Sequence, residues 1–289
     1  ESETNVYVEM PENDYYEAFK AIVGPETRED FVRGYVFDVT PVHDESPYFH
    51  HYLKLRRIPE TIGVMGGKWQ YFVEEGYLLP AVLAQVLVLS LVLLSLPAFG
   101  KAAGARPSLD LAYFALLGLG FMFVEVPLIQ AMILPLENPS YAVAAVLASV
   151  LVWSGAGSLL SQRFAFLRTP RTVLALAALV VPYGLLLTLG AGKIAAYPIA
   201  LKFALTFLIA SAAGVLMGIP FPLGMRLLGE KSPGLIPWAW AVNGCFSVLA
   251  PVVATMLALE FGFDSVLFLG ALMYLAAFGI IKRAYRSQR

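Results

Sequence analysis

Residues 111–127 read Leu-Ala-Tyr-Phe-Ala-Leu-Leu-Gly-Leu-Gly-Phe-Met-Phe-Val-Glu-Val-Pro, and they are followed by the polar turn Glu137-Asn138-Pro139-Ser140-Tyr141. A second apolar run then reaches Trp153-Ser154-Gly155-Ala156-Gly157-Ser158 and ends near Gln162. Each run has about 20 apolar residues, enough to cross a hydrocarbon core at a rise of about 1.5 Å per residue. Glu125 stands near the middle of the first run and is the only carboxylate or basic residue read well inside an apolar span. A charge at that depth costs about 2.5 to 3.5 kcal/mol on insertion scales, so Glu125 is expected to face protein or water and not lipid.

The composition agrees with this reading. Of 289 residues, 58% are hydrophobic and 14% charged, whereas soluble domains carry about 25% charged residues. The net charge of -1 gives no basic stripe for a nucleic acid. The lone Cys245, inside an apolar run, reads as a small buried residue and can form no intrachain disulfide. Seven spans are expected: 77–98, 111–134, 141–162, 172–191, 200–225, 237–259 and 265–281. Lipid offers the backbone no hydrogen bonds, so helices are the required conformation. The fold class is therefore mainly α, a polytopic helix bundle over 77–289 after a short α/β soluble segment. Lys101, Arg106, Arg163, Arg168, Arg171, Arg226, Lys231 and the basic C-terminal residues fall on one side, which the positive-inside rule makes cytoplasmic. Lys193 and Lys202 fall on the other.

Residues 1–76 are of another kind. Val6 to Val8 and Tyr35 to Val39 alternate as short strands, and Asp14 to Val23 has helical spacing. The segment reads as the tail of a truncated Rossmann-type α/β domain, and the start Glu1-Ser2-Glu3-Thr4 as that of a longer or processed polypeptide. His43, His50 and His51 with Asp44 and Glu45 supply possible metal ligands, but their spacing fits no helix-borne or knuckle motif. An extended Pro-containing loop is the preferred reading, and no metal site is expected. From Lys54 to Tyr71, basic residues mixed with Trp69 and aliphatics suit a segment at the headgroup level.

Within the membrane, Glu125 with Gln130 is the candidate substrate site, read as a proton-coupled or cation-recognising carboxylate. The competing reading is a Glu that only bonds a neighbouring helix, such as the one bearing Asn243. Asn243, followed by Ser247, reads as a joint between helices. Gly214 and Gly218 are small residues four apart, followed by Pro220-Phe221-Pro222, a helix break that either lines a cavity or is a simple kink. Ser154 to Ser158 reads as a close helix crossing. These residues contain no Ser-His-Asp arrangement, zincin motif or dinucleotide fingerprint.

Taken in order, Gly118 to Glu125, Tyr141-Ala142, Ser154 to Leu159, Gly218-Ile219-Pro220-Phe221-Pro222-Leu223-Gly224 and Trp240 to Gly244 resemble the membrane part of spermidine synthase-like fused proteins. Asp44 to Phe49 is more loosely similar to a stretch of that family, with Ser46 where an Arg is usual. The resemblance implies six helices, 111–281, like half of a major facilitator transporter, joined to an aminopropyltransferase- or methyltransferase-like Rossmann domain. It implies an S-adenosylmethionine-type cofactor only in such an upstream domain and none in this chain. Expected partners are the lipid bilayer and that domain or other membrane subunits; nucleic acid is not among them. The resulting expectation is a multi-pass cell-membrane protein that anchors a catalytic-type domain and binds a small cationic substrate near Glu125, with Gln130, Asn243, Pro220 and Pro222. The alternatives are a transporter or flippase-like protein and a structural subunit of a membrane complex.

Overall fold

The computed structural model describes residues 14–40, 54, 57, 59–60, 63, 78–95 and 109–287. It divides into two compact units, residues 1–78 and 79–289.

In the first unit, α1 (Asp14–Val23) and α2 (Arg28–Gly34) pack together across a turn in which Arg28 Nε donates to the Ile22 carbonyl at 2.7 Å and Thr27 Oγ1 to the Ala21 carbonyl at 2.9 Å. The end of α2 leaves carbonyls without intrahelical donors. Basic side chains supply them: Lys54 Nζ donates to Val32 and Tyr35, and Arg57 Nη1 to Gly34 at 2.9 Å. Partial burial draws the Lys54 ammonium below the ordinary lysine range, opposed by the nearby Asp38. The strand expected over Tyr35 to Val39 does not form. An isolated strand has no ladder to join, and Tyr35 instead stacks on Phe31 at 5.3 Å with Phe37 edge-on to it at 6.1 Å. Val6 to Val8 and the histidine cluster from His43 to His51 lie outside the described residues. Among the described residues, no group of His, Cys, Asp and Glu is placed to hold a metal.

The second unit is helical: α3 (Leu78–Ser95), α4 (Leu109–Leu136), α5 (Pro139–Arg163), α6 (Pro170–Ile194), α7 (Ile199–Met217), α8 (Pro220–Lys231) and α9 (Ile236–Ser287). Among the described residues, five stretches are long and apolar enough to cross a membrane, α7 and α8 counting as one of them. The 52 residues of α9 would span about 78 Å if straight, against a hydrocarbon core of about 30 Å. Gly262 resolves the excess: its φ of 76° and ψ of 165° break the helix into arms 236–261 and 263–287. Only glycine takes that conformation without strain. The expected span 200–225 is also divided, because Pro220 and Pro222 cannot donate to the carbonyls a turn earlier, and α7 stops at Met217.

α4 is central. It packs most extensively on α9 and also against α5 and α6, while α5 pairs chiefly with α7. Of the apolar window in α4, 56% is buried, against 22% in α5. Helices that are apolar all round yet mostly exposed have no stable place in water, and the outward Leu151, Leu159, Leu185 and Leu208 suit a hydrocarbon surround. These features make the unit a mainly α bundle consistent with a multi-pass membrane protein.

The α5–α7 contact depends on missing side chains. A Cβ on Gly157 would overlap the Val215 carbonyl, and one on Gly218 would overlap the Ser154 carbonyl. The small-residue runs read separately in the sequence are thus the two sides of one crossing. At one end of the bundle Lys231 pairs with Asp110 at 3.0 Å, tying α8 to the start of α4; at the other, Lys202 pairs with Glu137, tying α7 to the α4–α5 turn. Gly218→Ala is expected to lower the apparent stability of the detergent-solubilised protein by about 1 to 3 kcal/mol through overpacking. Gly190→Ala, where nothing lies within 4 Å, should leave the unfolding temperature unchanged; equal effects of the two would refute the crossing.

Candidate functional site

Between α4, α5, the α7–α8 break and both arms of α9 lies a cavity of about 430 Å³. Its apolar walls are set by Leu117, Phe121, Leu151 and Met217, and its polar groups are Ser154, Ser158, Asn243, Ser247 and Tyr274. The spacing of 154 and 158 places both serines on one face of α5, and 243 and 247 do the same on α9. Phe221 closes one side, edge-on to Phe114 at 5.5 Å and to Trp240 at 4.7 Å. Among the described residues, none that lines the cavity is basic.

Glu125 stands one helical turn beyond Phe121 and Met122, the α4 residues of the cavity's inner end. It is only 4% exposed and lies about 4 Å along the axis from the midpoint of α4. The α4 face that carries it also carries the buried Phe114, Leu117, Leu128 and Met132, so the carboxyl group is directed into protein. Among the described residues it forms no hydrogen bond or ion pair; the Tyr274 hydroxyl, which lines the cavity, lies within its electrostatic reach. Pro127, two residues on, cannot donate to the Phe123 carbonyl and so loosens this turn of α4.

The other expected site residues separate. Asn243 lines the cavity and joins two helices, its Nδ2 donating to the Phe114 carbonyl at 3.0 Å. It does not reach Glu125, which lies about 16 Å further along α4 than Phe114. Pro222 lines the cavity. Pro220 is buried and outside it, and its carbonyl accepts from the Tyr113 hydroxyl at 2.7 Å. Gln130 is partly exposed and absent from the lining. Five residues rotate the helix by about 140° from Glu125, onto a different face.

Tyr274 was not singled out by the sequence, since a tyrosine in an apolar helix carries no motif, and Ser158 was read only as part of a close helix crossing, not as a cavity group. Lys202 also escaped as a buried charge. Counted with the loops, it lies in the first turn of α7, only 4% exposed, and its partner Glu137 takes a left-handed backbone with φ of 59°. Comparison of the chain with protein-family models, curated proteins and solved structures found no match. Asn243→Ala is expected to cost about 1 kcal/mol of bundle stability by releasing the Phe114 carbonyl, whereas Gln130→Ala should stay within about 0.5 kcal/mol. Denaturant titration of each variant in mixed micelles distinguishes these outcomes, and a harmless Asn243→Ala would remove the joint from the account.

Proposed function

We propose that this chain is the membrane portion of a spermidine synthase-like protein, and that its cavity takes up a small cationic molecule, with Glu125 as the counter-charge. The observation that carries the reading is one buried carboxyl group without a bonding partner among the described residues, a helical turn from a cavity whose lining includes hydroxyls, an amide and aromatic rings but no basic group. Aromatic faces and a desolvated carboxylate both favour ammonium groups. A volume of about 430 Å³ lies within the usual range of about 300 to 1,000 Å³ for small-molecule sites.

In this proposal the stretch 109–287 crosses the cell membrane six times, α7 with α8 as one crossing and each arm of α9 as one, and α3 is an additional connector. The ends bearing Lys231 and the C-terminus are cytoplasmic by the excess of basic residues there. The bundle would anchor a Rossmann-type catalytic domain, to which any S-adenosylmethionine-type cofactor would belong. The six-helix portion, 109–287, would correspond to half of a facilitator-type transporter.

A second reading, passage of the molecule and not only its binding, is favoured by the interruption between Gly218 and Pro222. Both residues line the cavity, and discontinuous helices beside a site are a common transporter device. The test of binding is titration of the nanodisc-reconstituted chain with 1,4-diaminobutane and with the neutral 1,4-butanediol. The diamine should bind and the diol should not, and Glu125→Gln should weaken the diamine by about tenfold or more, the loss of one charge pair. Binding unaffected by that substitution would remove Glu125 from the site. Uptake of the same diamine into proteoliposomes separates passage from binding alone.

A further inference from the structure

A second cavity, of about 390 Å³, opens between the end of α5 and the start of α8 and shares only Pro222 with the first. Its polar lining is Ser161, Gln162, Arg168 and Arg226, and its apolar wall is Ile219 and Leu223. Arg168 is half-buried and its Nε donates to the Ser161 carbonyl at 2.6 Å, which fixes the plane of the guanidinium and leaves its terminal nitrogens for another acceptor. Arg226 is more exposed, and its Nε reaches Glu230 at 3.2 Å within the same helix. Glu230 is not among the lining residues, so among the described residues the cavity is lined by two arginines, one of them ion-paired, and no carboxylate. Two forked donors and an amide around one opening match the oxygens of a phosphate group far better than they match an ammonium.

The surroundings indicate where that phosphate would come from. Leu159 is 68% exposed and Phe166 71%, so strongly apolar surface flanks the chain segment that supplies Ser161 and Arg168. The segment also lies at the end of the bundle where basic residues gather, the leaflet side on which basic pockets between helices hold anionic headgroups. We propose that this cavity binds the phosphate of an anionic lipid headgroup, held between Arg168 and Arg226 with its acyl chains over Leu159 and Phe166. It is separate from the cation cavity and does not depend on that assignment.

The test uses the full chain in nanodiscs of phosphatidylcholine containing graded phosphatidylglycerol, followed by native mass spectrometry of the lipid retained. Phosphatidylglycerol should be retained about tenfold over phosphatidylcholine, and R168Q/R226Q should abolish the preference. R168K/R226K, which keeps the charge but loses the fork, should retain part of it. Because Arg168 also holds the Ser161 carbonyl, R226Q alone provides a variant whose fold is undisturbed, with an expected loss of about threefold. Retention unchanged in both glutamine variants would overturn the proposal, as would the absence of any preference together with no binding of inorganic phosphate. Arginine-dependent binding of inorganic phosphate without a lipid preference would support the phosphate site and overturn its lipid source.

Discussion

An ionisable carboxyl group near the middle of a long apolar helix must be enclosed by protein, and the packing around α4 meets that requirement. The face of α4 that carries Glu125 also carries Phe114, Leu117, Leu128 and Met132, all buried. The second arm of α9 comes close enough that a Cβ on Gly120 would sit 3.2 Å from the Tyr274 ring. Tyr274 lines the cavity and lies within electrostatic reach of the buried carboxyl group. If α4 were turned by half a revolution, the charge would meet acyl chains and the cavity would lose its electrostatic character.

The second determinant is the α5–α7 crossing. With glycine at 157 and 218, the two backbones approach to van der Waals contact, and α7 stops at Met217 just before α8 begins at Pro220. The cavity is lined by Met217, Gly218, Phe221 and Pro222 from this interruption, and Phe221 is braced edge-on by the Phe114 and Trp240 rings. Close packing and the opening therefore come from the same short run of sequence, Gly214 to Gly224. The break also separates a chamber without basic lining residues from one lined by two arginines.

Much of this was legible in the sequence, because a hydrocarbon surround makes length and apolarity sufficient to find spans. The ends of α4, α5 and α6 fall within a few residues of expectation, and the connector expected at 260–264 contains the Gly262 break. The small-residue runs were visible as close-packing patterns, though which run meets which is a three-dimensional fact that spacing does not carry. Gln130 was grouped with Glu125 by proximity along the chain, but helical rotation puts it on another face. The strand read at Tyr35 to Val39 followed an alternation that has no partner to pair with. Lys202 was hidden because a lysine at the start of a span looks like an interfacial anchor until the position of Glu137 is known. Tyr274 carries no sequence signal at all, and its place beside Glu125 follows only from how α9 folds back at Gly262.

The claim on which the account depends is that Glu125 faces protein and not lipid. It is tested most directly by treating the bilayer-reconstituted chain with a lipophilic carbodiimide, which modifies carboxyl groups reachable from hydrocarbon. The rate at Glu125 is then compared, by peptide mass spectrometry, with that of a glutamate introduced at the outward position by Leu159→Glu. The structure predicts that Glu125 reacts at least about tenfold more slowly, as expected for a group 4% exposed. Modification of Glu125 as fast as of the introduced glutamate would contradict the account.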